Sequence, residues 1–164
     1  MKLSAQEEYG LRCLLRLAER GEAASLTLGE LSGLEGISVS HVAKLMRVLR
    51  RAGVVKSTRG KEGGYTLARP APRINVGETL AALGGRLFDA SFCQEHAGRE
   101  RLCRHTSDCS IRSVWRRLQL AVDGVLGGLS LQDLLRSEEE LRQWSPPARA
   151  LALTVLAPDT PERC

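Results

Sequence analysis

Aromatic side chains are scarce: two Trp, two Tyr and two Phe make up 4% of 164 residues. Modules that bind RNA or single strands stack bases on exposed rings, so so few aromatics argue against that class. No apolar run approaches the roughly 18 residues that cross a bilayer. The opening MKLSAQEEYG carries adjacent acids where a secretory leader has its apolar core, and a cytoplasmic protein is expected. The chain also lacks a C-x-x-C pair, a Gly-rich nucleotide loop and a paired-carboxylate signature. Cysteine-based catalysis needs a base beside the thiol, and only His41, His96 and His105 could serve. An enzyme is not expected.

What remains is ordinary in bulk and uneven in distribution. Hydrophobic residues make 43% and charged residues 26%, enough for one domain with a real core and an extension. The net charge is +5. Residues 1–75 hold thirteen Lys or Arg against seven acids, and the remainder eleven against twelve. The positive field therefore belongs to the first half.

Within that half the stretch Ile37 to Ala68, ISVSHVAKLMRVLRRAGVVKSTRGKEGGYTLA, organises the chain. Ser38 is placed to cap a helix and Gly53 to end it. Val42, Leu45, Met46 and Leu49 fall on one face, Ser40, Lys44, Arg47 and Arg51 on the other, with His41 beside them. Val54 to Arg59 and Tyr65 to Ala68 read as strands around the turn Gly60-Lys61-Glu62-Gly63-Gly64. Upstream, Ser4-Ala5-Gln6-Glu7 and Thr27-Leu28-Gly29-Glu30 are capping boxes opening two further helices. Between Ser38 and Arg73 there are nine Lys or Arg and one acid. Helix, short Gly-containing turn, basic helix, then a basic-tipped ribbon predicts a winged helix-turn-helix that grips double-stranded DNA. Ser38, Ser40, His41, Lys44 and Arg47 are the candidate major-groove residues. Arg59 and Lys61 are the candidates at the wing, where a narrow minor groove favours a cation. Gly60, Gly63 and Gly64 are expected to give the wing positive φ and close backbone approach.

Beyond the wing, Val76 to Leu83 predicts a short helix, and Phe88 to Asp108 shows no periodicity. That irregular stretch holds Cys93, Cys103 and Cys109, spaced C-x9-C-x5-C. Five cysteines in a reducing compartment suit metal binding or redox work better than structural disulfides. The gaps are too wide for a typical zinc knuckle. They leave an iron–sulfur cluster, zinc or a plain thiol-disulfide switch open. Cys13, inside the first helix, reads as core filler. Ser110 to Leu126 predicts a long helix whose Ile111, Val114, Trp115, Leu118, Val122, Val125 and Leu126 repeat at helical spacing and call for a partner surface, such as a second copy. Ser130 to Asp133 caps one more short helix.

Several stretches together resemble the IscR/NsrR-type family of bacterial winged-helix iron–sulfur transcription regulators. They are the opening MKLSAQEEYGLRCLLRLA, ISVSHVAKLMRVLRRAGVV, the wing STRGKEGGYTLARP, INVGETLAAL, and three cysteines ahead of a helix bearing Trp115-Arg116. The likeness spans about residues 1–136. It implies a mainly α fold with a small β-wing, a winged helix-turn-helix plus a long C-terminal dimerisation helix. It implies a homodimeric DNA-binding repressor whose affinity is tuned by an iron–sulfur cluster, 2Fe–2S or 4Fe–4S, sensing redox state, nitric oxide or cluster supply. By matching position Cys93, Cys103 and Cys109 would be thiolate ligands. The IscR branch's histidine ligand is replaced here by Arg112, whereas Glu8 stands where the NsrR branch has a carboxylate ligand. His96 and His105 are reserve candidates. The expected division is 1–84 DNA-binding, 85–109 cysteine-bearing loop, 110–136 dimerisation helix with a short following helix, and 137–164 a loosely ordered tail.

Overall fold

A computed structural model of the chain describes residues 4–21, 24–58, 63–89, 91–98, 103 and 108–144. These fall into two compact units, one within Met1–Gly85 and Leu126–Ser145, the other within Arg86–Val125.

The first unit is a winged helix-turn-helix. Helix α1 (Ala5–Glu19) opens on a complete capping box: Glu7 N–H donates to Ser4 Oγ, and Ser4 N–H to the Glu7 carboxylate. Helix α2 (Leu28–Glu35) repeats the device with Thr27 and Glu30 and stops at Gly36, whose φ of 65° is the left-handed conformation an L side chain resists. Helix α3 (Val39–Arg51) starts at Ser38, whose Oγ accepts from His41 N–H at 3.3 Å. Strands β1 (Val55–Thr58) and β2 (Gly64–Leu67) pair antiparallel, with Val55 opposite Leu67 and Thr58 opposite Gly64. Leu26 adds a bridge to β2, Tyr65 N–H donating to its carbonyl at 2.8 Å. This bridge explains Gly64: its φ is not left-handed, and a Cβ there would lie 2.8 Å from the Leu26 carbonyl oxygen. The glycine serves close approach within the chain, where positive φ was expected.

Leu14 and Leu17 of α1, Leu31 of α2, the four α3 residues Val42, Leu45, Met46 and Leu49, and Val55 and Leu67 of the ribbon form one buried core. Cys13 lies in it fully buried; burial, reinforced by the nearby Glu35 charge, pushes its thiol up to about 11. It is therefore an inert hydrophobe near neutral pH. Helix α4 (Val76–Gly84) crosses α1 where Gly10 leaves no room for more than a hydrogen: a Cβ there would meet Leu83 Cδ1 at 2.5 Å. Gln6 donates to the Leu83 carbonyl at the same crossing.

The chain returns to this unit after the long helix. Asn75 caps α4 through Oδ1 and donates Nδ2 to the Gly127 carbonyl at 2.9 Å, while Leu131 N–H donates to Ile74 O at 2.8 Å. Leu131 is thereby drawn into the core. Ser130 Oγ donates to Asp133, heading a 3-10 turn, Asp133–Leu135. A short helix α7 (Glu138–Arg142) follows, opened by a Ser137–Glu140 capping box, inside the stretch assigned from sequence to the tail. Positions 145–164 of that tail, with Cys164, lie outside the described residues.

The second unit carries helix α5 (Phe92–Glu95), within the stretch that shows no periodicity, and the long helix α6 (Ser110–Leu126). Gln119 of α6 accepts from Phe88 N–H at 2.9 Å, and Arg86 pairs with Asp123.

One buried charge ties the first unit together. Glu35 ends α2 with its side chain 1% exposed, and Arg12 Nε and Arg16 Nε of α1 donate to its two oxygens at 2.5 and 2.6 Å. Burial by itself would raise this carboxyl, but the bonds from Arg16 and Arg12 outweigh it and hold it below its ordinary value of 4.5. A depressed folded-state value means that the pair's stabilisation is complete above pH 4.5 and drains away as pH falls through the lower, folded value. Glu35→Gln is thus expected to cost about 2 kcal/mol at neutral pH, the worth of hydrogen bonds to a charged group. It should also flatten the acid limb of stability below pH 4.5. Thermal unfolding from pH 7 to pH 3 checks both.

Candidate functional site

The basic face of α3 is where the first unit meets solvent with uncompensated charge. Four apolar positions point inward, so helical periodicity turns Ser40, Lys44, Arg47 and Arg51 outward, and all four are exposed. Arg50 is exposed too and donates to Ser57 Oγ of β1 at 3.4 Å, linking the helix to the ribbon. The chain carries no acid between Glu35 and Glu62. Among the described residues no carboxylate pairs with Lys44, Arg47, Arg50 or Arg51. These cations are left for an external anion, and a row of them on an exposed helix matches phosphates and base edges of a duplex.

The other sequence candidates occupy varied environments. Ser38 is committed to the helix cap and its Oγ also lies 3.1 Å from Ser40 Oγ. His41 is half-buried, its ring edge-on to Tyr9 of α1 with centroids 5.6 Å apart. The Arg12 guanidinium covers the same Tyr9 ring at 5.2 Å. A chain of contacts thus runs from Glu35 through Arg12 and Tyr9 to His41. Sequence reasoning did not find it, although Arg12 and Arg16, one turn apart and flanking the apolar stripe of α1, were a visible signal. Arg59 and Lys61 lie outside the described residues.

Glu8 belongs to the first unit, exposed on the first turn of α1. The three cysteines belong to the second. Cys93, Cys103 and Cys109 are half-buried and none forms a disulfide. Cys93 sits on α5, whose entry turn is built by Asp89: its Oδ1 accepts from the hydroxyl and N–H of Ser91 and from Phe92 N–H. Those bonds hold the Asp89 carboxyl below its usual range. His96 stacks on Phe92 at 4.1 Å, its Nδ1 2.8 Å from the Phe92 carbonyl, which accepts; that tautomer leaves Nε2 as the ring's lone-pair nitrogen. Cys109 precedes α6, and Arg112 N–H donates to its Sγ at 3.4 Å. In kind this donor set fits a thiolate-held centre: three partly covered thiols, Cys93 in the first turn of α5 and Cys109 just ahead of α6. Among the described residues, however, no three His, Cys, Asp or Glu side chains gather into a metal-sized group. His105 lies outside the described residues.

The model of the Rrf2 family, described as an iron-dependent transcriptional regulator, matches residues 3–137. The HTH-type transcriptional regulator IscR of Xenorhabdus nematophila is 33% identical over 141 residues, 86% of this chain and 83% of that protein. IscR of Escherichia coli is also 33% identical, over 86% of this chain and 84% of its own. Among solved structures, CymR, the global cysteine regulator of B. subtilis, superposes with a TM-score of 0.65 at 27% identity, covering 82% of this chain and 96% of its own. T. potens IscR superposes with a TM-score of 0.62 at 29% identity, covering 91% and 96%.

The α3 geometry makes a direct prediction. Lys44→Ala and Arg47→Ala should each weaken duplex binding at every sequence tested. Each should lower the slope of log affinity against log salt by about 0.9 per lost phosphate contact. Band-shifts at several salt concentrations measure this, and an unchanged slope would show that the side chain touches no phosphate.

Proposed function

Because the chain belongs to the Rrf2 family of transcriptional regulators, we propose that it is a homodimeric repressor whose grip on its operator is set by an iron–sulfur cluster. The observation that carries the DNA half is the uncompensated cationic face of α3 on a winged helix-turn-helix. Ser40, Lys44 and Arg47 meet base edges and phosphates, and Ser38 and His41 fix the start of the helix that presents them. Arg59 and Lys61 enter or flank the minor groove from the wing.

The dimer half rests on α6. Ile111, Val114 and Leu118 are 61%, 52% and 43% exposed, and Trp115 and Val125 continue the same stripe. An apolar face of more than four turns is covered most economically by the same helix of a second copy, and two recognition helices then read two half-sites. Leu118→Glu should convert the dimer to monomer and abolish band-shift at concentrations where the parent binds fully. Light scattering after gel filtration gives the mass, and a dimeric variant would remove α6 from the interface.

The sensor half rests on the three thiols. Cys93, Cys103 and Cys109 would hold the cluster, with Glu8 of the partner subunit as fourth donor. When bound, such a group supplies a centre whose charge and ligation respond to redox state, nitric oxide or cluster supply. Glu8 lies one residue from Tyr9, and Tyr9 touches His41, so movement of the first turn of α1 reaches the recognition helix through one contact. A second reading, a thiol-disulfide or zinc switch on the same cysteines, draws on one related structure, Staphylococcus aureus CymR in an oxidised form, at 26% identity.

Anaerobic purification with iron and sulfide counts separates the two readings. Stoichiometric iron and sulfide are expected, with operator affinity changing at least about ten-fold, 1.4 kcal/mol of coupling, when iron is removed. Glu8→Ala should keep the visible absorption and lose most of that change. Colourless protein that responds to oxidants instead would establish the thiol switch.

A further inference from the structure

Besides its alanine, α3 carries six apolar side chains. Val42, Leu45, Met46 and Leu49 are buried at 1% exposure or less, and Val48 is half-buried. Val39, the first residue of the helix, is 50% exposed. Its own chain gives it little reason to be valine. Ser38 does the capping, accepting from His41 N–H, and its hydroxyl lies beside that of Ser40. A β-branched residue is a middling helix former, and this one gains only part of the burial that would offset the cost.

Its position is at the end of the cationic face. Helical spacing puts Val39 in one row with Ala43 and Arg47, four residues apart each, while Ser40 and Lys44 occupy the neighbouring row. Ala43 is small and half-buried, so the row is apolar and shallow before it reaches the first cation. In the major groove the apolar feature on a base edge is the C5-methyl of thymine; the other readable groups are hydrogen-bond donors and acceptors. Serine hydroxyls and flexible cations tolerate several bases at these positions, whereas a branched apolar side chain at the helix start discriminates by contact.

We propose that Val39 is a specificity-determining residue that packs against a thymine methyl in each half-site. The proposal rests on the DNA-binding reading and names what that reading leaves open, a residue that reads sequence without a hydrogen bond. Covering about one methyl's worth of apolar surface at the contact should be worth about four-fold in affinity per half-site.

The test uses a duplex selected by the full-length protein from a randomised pool, with each thymine of one half-site replaced in turn by deoxyuridine, which removes only the methyl. For the parent, one replacement should weaken binding about four-fold and the others should not. For Val39→Ala, which removes the contact from both half-sites, the intact duplex should bind about sixteen-fold weaker, and that same deoxyuridine should cost nothing further, closing a double-mutant cycle. Thermal unfolding checks that the variant is folded. Val39→Thr, which keeps the branched shape, serves in its place if it is not, and should also lower the methyl dependence. Equal deoxyuridine penalties in parent and variant, or none in the parent, would overturn the assignment while leaving DNA binding intact. A parent that selects no duplex at all would overturn the DNA-binding reading itself.

Discussion

Glu35 closes the last turn of α2 with its carboxylate shut away from water, and two guanidinium groups of α1 hold it there. Ionised and buried, it would be costly alone; with both oxygens accepting charge-assisted bonds it becomes a fixed joint between the two helices. Gly36 turns the chain one residue later, and Ser38 starts α3 two residues after that. The direction in which α3 leaves is therefore set at this joint. Arg12 extends it sideways, lying over Tyr9, whose ring meets the edge of His41. The recognition helix is thus braced against α1 at its first turn by polar and aromatic contacts, and along its length by the apolar core.

That bracing is what allows α3 to give most of its outer face to cations. Lys44, Arg47, Arg50 and Arg51, all exposed on α3, repel one another, and only Arg50 and Arg51, in the last turn, gain from the helix dipole. Its stability comes from Val42, Leu45, Met46 and Leu49 beneath, together with the Ser38 cap. The exposed charges are free to act on a polyanion because the opposite face does the folding. The second unit shows a different division of labour. Phe88, Gln119, Arg86 and Asp123 fasten one side of α6 with hydrogen bonds and an ion pair, while the apolar stripe remains outward. The cysteines precede that helix, close in sequence to the surface that a second copy would cover.

Much of this was legible because it is local. The three N-terminal caps, the periodicity of α3, the two strands of the wing and the limits of α6 depend on residues within one or two turns of one another. The Ser137–Glu140 capping box was equally local, yet it went unrecognised because little apolar periodicity follows it. The burial of Glu35 was not legible in sequence, since its partners are nineteen and twenty-three residues away. Gly64 reads as a turn glycine, although its reason is a carbonyl belonging to Leu26.

The amino-acid order by itself determined the winged helix-turn-helix, the side of α3 that faces outward and the segregation of positive charge. Capping, periodicity and charge sums need no knowledge of distant neighbours. Only the tertiary structure decided which acid is buried, that His41 leans on Tyr9, that Asn75 both caps α4 and holds the Gly127 carbonyl, and that Val39 is the large apolar side chain of α3 left most open to solvent. Each of these depends on groups far apart in the chain being brought within a few ångströms, and side-chain burial is a property of that packing, which no local pattern encodes.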